Sequence, residues 1–373
     1  MTSQNSPVSW RPSGSIEALK LRAELLKRAR SYFDSLNYTE VQTPVISRDT
    51  TIDRWLEPMT IKTDVEISDA RPASPVFLQT SPEFAMKRLL AAGMGSIYQI
   101  CPAFRDGEYG QRHNPEFTII EWYGVGDDFD AGMTVLEGLC QTLLKERLTV
   151  QTPQRISYRD AFLRYAGLDP FAASMEQIRN YCQTENLGIP EGFDPDDRDS
   201  WLDVILSEKV QVKLGFNNDA PDQWRPTVLY HYPATQSALA KVVDAPYGAV
   251  AERFELFVGG VELANGYHEL ADADELARRH EFTNRQRVAD GHAPLPPNSI
   301  LLDALHADRV GSQLEEGNAE NGLFGSKTSS SRPCPAPGFP PCAGCALGFD
   351  RAVMLAFGTR DLRDVLAFDW GRA

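Results

Sequence analysis

The 373-residue chain has no apolar run long enough to cross a bilayer. Its first residues, MTSQNSPVSW, contain no apolar h-region of a secretory signal. A cytoplasmic protein without a membrane partner is expected. Cysteine is sparse, with six residues, and in that compartment they are expected as thiols. Cys334, Cys342 and Cys345 cluster in a Pro-rich segment, but a zinc site wants four ligands and no further Cys or His stands nearby. A loose loop is expected there. Positive charge is also short: 37 Lys and Arg against 52 Asp and Glu give a net charge of -15. That balance excludes general nucleic-acid affinity, which needs clustered cations, and suits a protein partner with a basic face. Neither a Walker loop nor a GxGxxG fingerprint is present, and no internal repeat is visible.

The remaining composition, 42% hydrophobic and 24% charged, is that of a globular protein. Three-to-four spacing of Ile16, Leu19, Ala23, Leu26, Ala29, Phe33 and Leu36 predicts a helix over Ser15–Leu36. A strand is expected over Tyr38–Ile46, ended by Pro44. Thr80–Ala92 reads as a helix start with Ser81 as N-cap and Pro82 in the first turn. Ser96–Arg105 and Phe117–Tyr123 read as an antiparallel pair joined by a polar loop. Surface helices are expected over 133–147 and 174–186, and a charged helix over Glu275–Asp290. Thr227–Tyr232 and Arg253–Leu270 are strand-rich, residues 190–215 give no clear element, and Cys345–Gly358 passes from strand to helix. Residues 312–341, rich in Gly, Ser and Pro, are expected to be a flexible insertion.

The stretch RFELFVGGVELANGYHEL carries the sharpest geometric signal. Gly259-Gly260 and Asn265-Gly266 both read as two-residue hairpin turns. Taken together they place Glu255, Glu262 and Glu269 on one side of a three-stranded meander. Facing carboxylates repel, so a compensating cation is expected, either hydrated Mg²⁺ or a ligand ammonium. A solvated acidic face is the plainer alternative, but three glutamates aligned by two turns favour a site. Arg105, at a strand end, has the planar fork to clamp a phosphate. Phe117 has a ring a purine can stack on, and Arg351 follows a Gly-containing strand. Two arginines and several carboxylates suit a metal-bound triphosphate.

These segments resemble the class II aminoacyl-tRNA synthetases. The first helix and the strand ending at Pro44 look like motif 1, FRDGEYGQRHNPEF like motif 2, and GCALGFDRAVML like motif 3. TSPEFAMKRLL, HNPEFTIIEWY and RFELFVGGVELANGYHEL resemble the lysine branch. The first helix starts near Ser15, leaving no room for an anticodon-binding barrel, so the likeness is greatest to the free-standing elongation factor P–(R)-β-lysine ligase family. It implies an α+β class II catalytic fold over residues 1–373, an antiparallel sheet flanked by helices, and a homodimer. The implied activity forms an adenylate of (R)-β-lysine, or lysine, with ATP and Mg²⁺, then transfers the acyl group to a lysine of elongation factor P. No stable tRNA binding is expected. A lysine-activating synthetase that charges tRNA or a small amine, and a regulatory pseudoenzyme, are the alternatives.

The resemblance also implies roles. Arg105 would meet the α-phosphate and Arg351 the γ-phosphate side, as the two catalytic residues. Asp106, Gly107, Glu108, His113, Asn114, Phe117, Glu262, Leu263 and Gly348 would complete the ATP site, with Phe117 stacked on adenine. Glu255 and Glu262 would hold Mg²⁺. Glu269 and Tyr123 would read the distal ammonium, and Glu83, with Ser81 and Pro82, the nearer one. Two departures stand out. Motif 2 reads Arg105-Asp106-Gly107 where Arg-Asn-Glu is usual, so Glu108 or backbone must read adenine. Ala346 replaces the usual Gly on the pocket floor, a methyl-sized change worth about 1–3 kcal/mol of discrimination that favours a β-amino acid.

Overall fold

The computed structural model describes residues 10–62, 75–148, 152–190, 193–217, 220–297, 299–306 and 338–373. Most of the expected insertion, Cys334 included, lies outside the described residues.

Helix α1 (Ile16–Ser35) starts where the spacing predicts, with Ser15 Oγ accepting from Ala18 N, and buries Ala18, Leu25, Ala29 and Phe33. The strand expected after it is broken into β1 (Thr39–Glu40) and β2 (Ile46–Ser47). Pro44 lies in the break, and Thr43 N donates to the side chain of Gln99 instead of to a ladder. Strands β3 (Thr60–Ile61) and β4 (Val76–Leu78) form a small sheet with β2. Helix α2 (Glu83–Ala91) begins later than expected, with Pro82 rather than Ser81 at the cap. Ser81 Oγ still accepts from Glu83 N, but it also donates to Glu121, one element away.

β5 (Ile97–Phe104) and β6 (Glu116–Val125) pair antiparallel from Ile97↔Tyr123 to Phe104↔Glu116, as expected. α3 (Phe129–Leu144) corrects the expected surface helix at 133–147. It starts at Asp128, its N-cap, and buries Leu136, Leu139, Leu143 and Leu144. Its sequence is apolar on most sides, which is the mark of a core helix.

Then come β7 (Gln154–Ser157), α4 (Tyr158–Tyr165), α5 (Met175–Thr184) and α6 (Arg198–Ile205), the last in the stretch that gave no clear element. β8 (Phe216–Asn217) and β9 (Ala220–Trp224) pair with each other in a separate two-stranded sheet. β10 (Thr227–Pro233), β11 (Val242–Ala245), β12 (Gly248–Val258) and β13 (Val261–His268) precede α7 (Ala273–Ala289). A short helix, α8, covers 300–306, and β14 (Cys342–Gly348) leads into α9 (Phe349–Phe357). The strand expected from Cys345 begins earlier, at Cys342, so both cysteines of the expected loose loop that lie among the described residues are buried thiols of a central strand.

The main sheet runs β1-β5-β6-β14-β13-β12-β10-β7, with β11 beside β12. Its centre is antiparallel, while the β1–β5 and β10–β7 pairs are parallel. The two-residue period divides its faces. Ile120, Trp122, Phe254, Leu256, Cys345 and Leu347 point into the core with α1, α3 and α9. There Phe33 stacks on Tyr98 at 4.5 Å. Ile119, Glu121, Tyr123, Arg253, Glu255, Asn265, Tyr267, Gly344 and Ala346 face a cavity on the other side. Arg22 pairs with Asp350 and donates to Thr118 Oγ1 at 2.6 Å, and Asp350 accepts from Thr118 N at 2.9 Å. These bonds fix α1 and α9 to β6, so two helices hold the platform beneath the cavity.

The three-stranded meander is corrected. Gly259 and Gly260 turn with φ of 58° and 74°, and Val258 pairs with Val261 as expected. Asn265-Gly266 is not a turn. β13 passes straight through it, with Asn265 paired to Glu255 on one side and Ala346 on the other. Gly266 is needed for space, because a Cβ there would lie 2.4 Å from the ring of Phe254. The third strand is β14, some 70 residues onward in the chain.

Candidate functional site

Two cavities open on the polar face of the sheet. The larger, about 400 Å³, lies over β6, β12, β13 and β14 and is walled by α2, α6, α7 and residues 51–56. The smaller, about 260 Å³, lies over the loop after β5 and the start of α9. Arg105, Ile119, Asn265 and Ala346 line both.

Ser81, Glu83, Tyr123, Glu255, Glu269 and Ala346 all line the larger cavity. The three glutamates are not opposed to one another as expected. Each has its own cation: Lys87 Nζ stands 2.6 Å from Glu269 Oε2, Arg253 Nη2 stands 2.6 Å from Glu255 Oε1, and Arg351 Nη1 stands 3.9 Å from Glu262 Oε2. Lys87 also reaches Glu83 Oε1 at 2.7 Å. Burial disfavours its ammonium, but the two carboxylates outweigh that and raise its pKa. Glu269 responds mainly to burial, against the pull of Lys87, and rises to about 7. Burial also raises Glu255, with Arg253 opposing and Glu262 adding to the rise. Tyr123 is buried, and its hydroxyl donates to Glu121 Oε1 at 2.7 Å. Glu121 has no cation within salt-bridge distance among the described residues; burial, then repulsion from Glu83, lift it to about 8.

In the smaller cavity Arg105 lies over the Phe117 ring at 4.9 Å, with Glu108 Oε1 3.6 Å from its Nη1. Its Nε is buried without a hydrogen-bond partner among the described residues, an unmet donor at the cavity wall. Arg351 donates to His113 Nε2 at 2.8 Å and to the Glu262 carbonyl at 3.0 Å. Burial, helped by the Arg351 charge, lowers the His113 pKa and keeps the ring a neutral acceptor. Asn114 lines this cavity, yet its amide is occupied: Nδ2 donates to the Glu116 carbonyl and Oδ1 accepts from Trp370 N. Leu263 sends its side chain into the core, leaving backbone at the wall. A Cβ on Gly348 would meet nothing nearer than 3.8 Å, so the protein itself does not require glycine there. Pro82, Asp106 and Gly107 line neither cavity; Asp106 and Gly107 are exposed in the loop.

Sequence reasoning missed Lys87, Arg253, Asn265 and His280 and gave Glu121 no role. Two signals were available. Lys87 follows Glu83 by one helical turn, and Arg253 precedes Glu255 by one strand period.

The model of the class II tRNA synthetases (D, K and N) matches residues 2–294. A Vibrio atlanticus protein is 38% identical over 366 residues, covering 98% of this chain and 99% of its own length. Relatives from Pectobacterium atrosepticum and Vibrio cholerae are 37% and 38% identical, each covering 98% of both chains. All three are named elongation factor P–(R)-β-lysine ligase. The chain belongs to this family of class II synthetase-like ligases. The ligase family's catalytic fold accounts for the mixed sheet and its flanking helices, and among the described residues no helix is long and apolar enough to cross a membrane.

Proposed function

We propose that this chain activates (R)-β-lysine with ATP and transfers it to a lysine side chain of elongation factor P. The observation that carries the reading is the sharing of Arg105 by the two cavities. A diamine acid in the larger cavity and a nucleotide in the smaller bring their carboxylate and α-phosphate to the same guanidinium. Acids dominate the larger cavity, as two ammonium groups require, and Arg105 and Arg351 serve the smaller, as a triphosphate requires.

The substrate carboxylate attacks the α-phosphorus and pyrophosphate leaves. Arg105 holds both anions and stabilises the charge that develops between them. The acceptor amine then attacks the acyl carbon, and AMP leaves. Positioning supplies the rate, so no side-chain nucleophile is required. Glu255 and Glu262 fit Mg²⁺ brought in with ATP. They offer hard oxygen donors that feel one another's charge, and no group of three His, Cys, Asp or Glu among the described residues forms a protein-only metal site. Such an ion would be held by one or two carboxylates plus phosphates and would spread phosphate charge.

Pyrophosphate exchange with ATP and each lysine isomer tests the reading. Exchange with (R)-β-lysine at the highest kcat/KM supports it, and absence of exchange with every isomer sinks it. Exchange followed by labelling of tRNA rather than protein favours a tRNA-charging synthetase, which the net charge of -15 opposes.

A further inference from the structure

His280 stands on α7, in the wall of the larger cavity, and is 2% exposed. Its ring stacks on Phe84 with centroids 5.7 Å apart, which fixes the imidazole plane. Neither Nδ1 nor Nε2 has a hydrogen-bond partner among the described residues. Burial, then the nearby Lys87 charge, lower its pKa to about 4, so at neutral pH the ring carries one N–H donor and one lone-pair acceptor. Buried polar groups are nearly always satisfied. An imidazole left with two idle nitrogens beside a cavity indicates that the cavity's contents complete it.

Its surroundings define those contents. Lys87 and Glu83 lie on the adjoining α2, Lys87 pairs with both Glu83 and Glu269, and Glu269 lines the same cavity as His280. A second cation would be repelled by Lys87 unless it met acceptors besides the shared carboxylates. An ammonium has three donors and seeks three acceptors. A neutral imidazole is an acceptor that adds no further negative charge to a crowded acidic pocket.

We propose that His280 is a substrate-binding residue whose neutral imidazole accepts a hydrogen bond from the distal ammonium of the diamine acid, the one facing Glu269. The inference rests on reading the larger cavity as the amino-acid site. It gives the pocket a recognition element beyond its carboxylates and separates ligands with a terminal ammonium from those ending in a methyl group.

Pyrophosphate exchange with (R)-β-lysine varied at saturating ATP, in the full chain, H280F and H280Q, tests it. Loss of a hydrogen bond to a charged group raises the amino-acid KM about tenfold or more in H280F. The KM for ATP should stay within about twofold, and H280Q, whose amide oxygen is an acceptor, should recover most of the loss. Independently, the His280 ring ¹⁵N resonance of the unsubstituted chain, with labelled histidine, should move on adding (R)-β-lysine and not on adding ATP. An unmoved resonance with unchanged amino-acid KM in H280F overturns the role of His280 alone. No saturable exchange by the unsubstituted chain with any lysine isomer overturns the reading of the cavity itself.

Discussion

Lys87 Nζ lies 2.6 Å from Glu269 Oε2, so the carboxylate expected to read a substrate ammonium already faces one from the protein. Lys87 is 3% exposed and shared with Glu83, so removing its charge strands two buried acids. Lys87→Met is expected to cost about 3–5 kcal/mol in urea denaturation, with part recovered on adding Glu269→Gln. An unchanged midpoint in the single variant would show that the pair carries little energy.

Glu121 sets a pH dependence. Burial and repulsion from Glu83 hold its carboxyl up at about 8, against hydrogen bonds from Ser81 and Tyr123. The fold therefore keeps a proton that the unfolded chain has released, so this contribution to stability is full below the ordinary carboxylate range and is lost as pH rises through about 8. The ligand-free protein should lose stability over that interval, and Glu121→Gln should flatten the slope. Denaturation midpoints across the interval check this. Ligand binding carries the opposite sign. An ammonium favours the charged carboxylate, so affinity for the amino acid should rise with pH and binding should release a proton, measurable by calorimetry in two buffers.

Gly344 leaves the room that the acid pocket uses. A Cβ there would stand 2.3 Å from Glu269 Oε1 and 2.4 Å from the Tyr123 ring. Gly344→Ala should cost about 1–3 kcal/mol of stability through overpacking. It should also raise the amino-acid KM more than the KM for ATP, as steady-state exchange would report.

Arg105 is the arginine that lines both cavities, and its buried Nε lacks a partner among the described residues. Lysine keeps the charge but loses the planar fork. Arg105→Lys should therefore lower kcat/KM for adenylate formation by about 10²–10³ with little change in thermal stability. A variant within twofold of the parent would remove Arg105 from the chemistry.

Local patterning in the sequence revealed the helix over Ile16–Ser35, the β5–β6 pair and the Gly259-Gly260 turn, because each is set by residues close in the chain. Asn265-Gly266 misled because glycine serves two needs. Here Gly266 makes room for Phe254, a residue on another strand, and local pattern cannot distinguish that from a turn. The same limit hid β14 as the partner of β13 and β6, since its register depends on residues far away in the chain. Of the site, the residue types were legible but their partners were not. Glu269 reads as an acid on a strand, while Lys87 against it comes from a helix about 180 residues earlier. Lys87 and Arg253 turn a repelling row of glutamates into separate ion pairs, and that follows only from packing.

The most direct test is the intact mass of elongation factor P after incubation with this chain, ATP and each lysine isomer in turn. A single acyl adduct, formed fastest with (R)-β-lysine, requiring ATP and absent with Arg105→Ala, is the expected result. Unmodified elongation factor P in a mixture where the same chain exchanges pyrophosphate with (R)-β-lysine would contradict it.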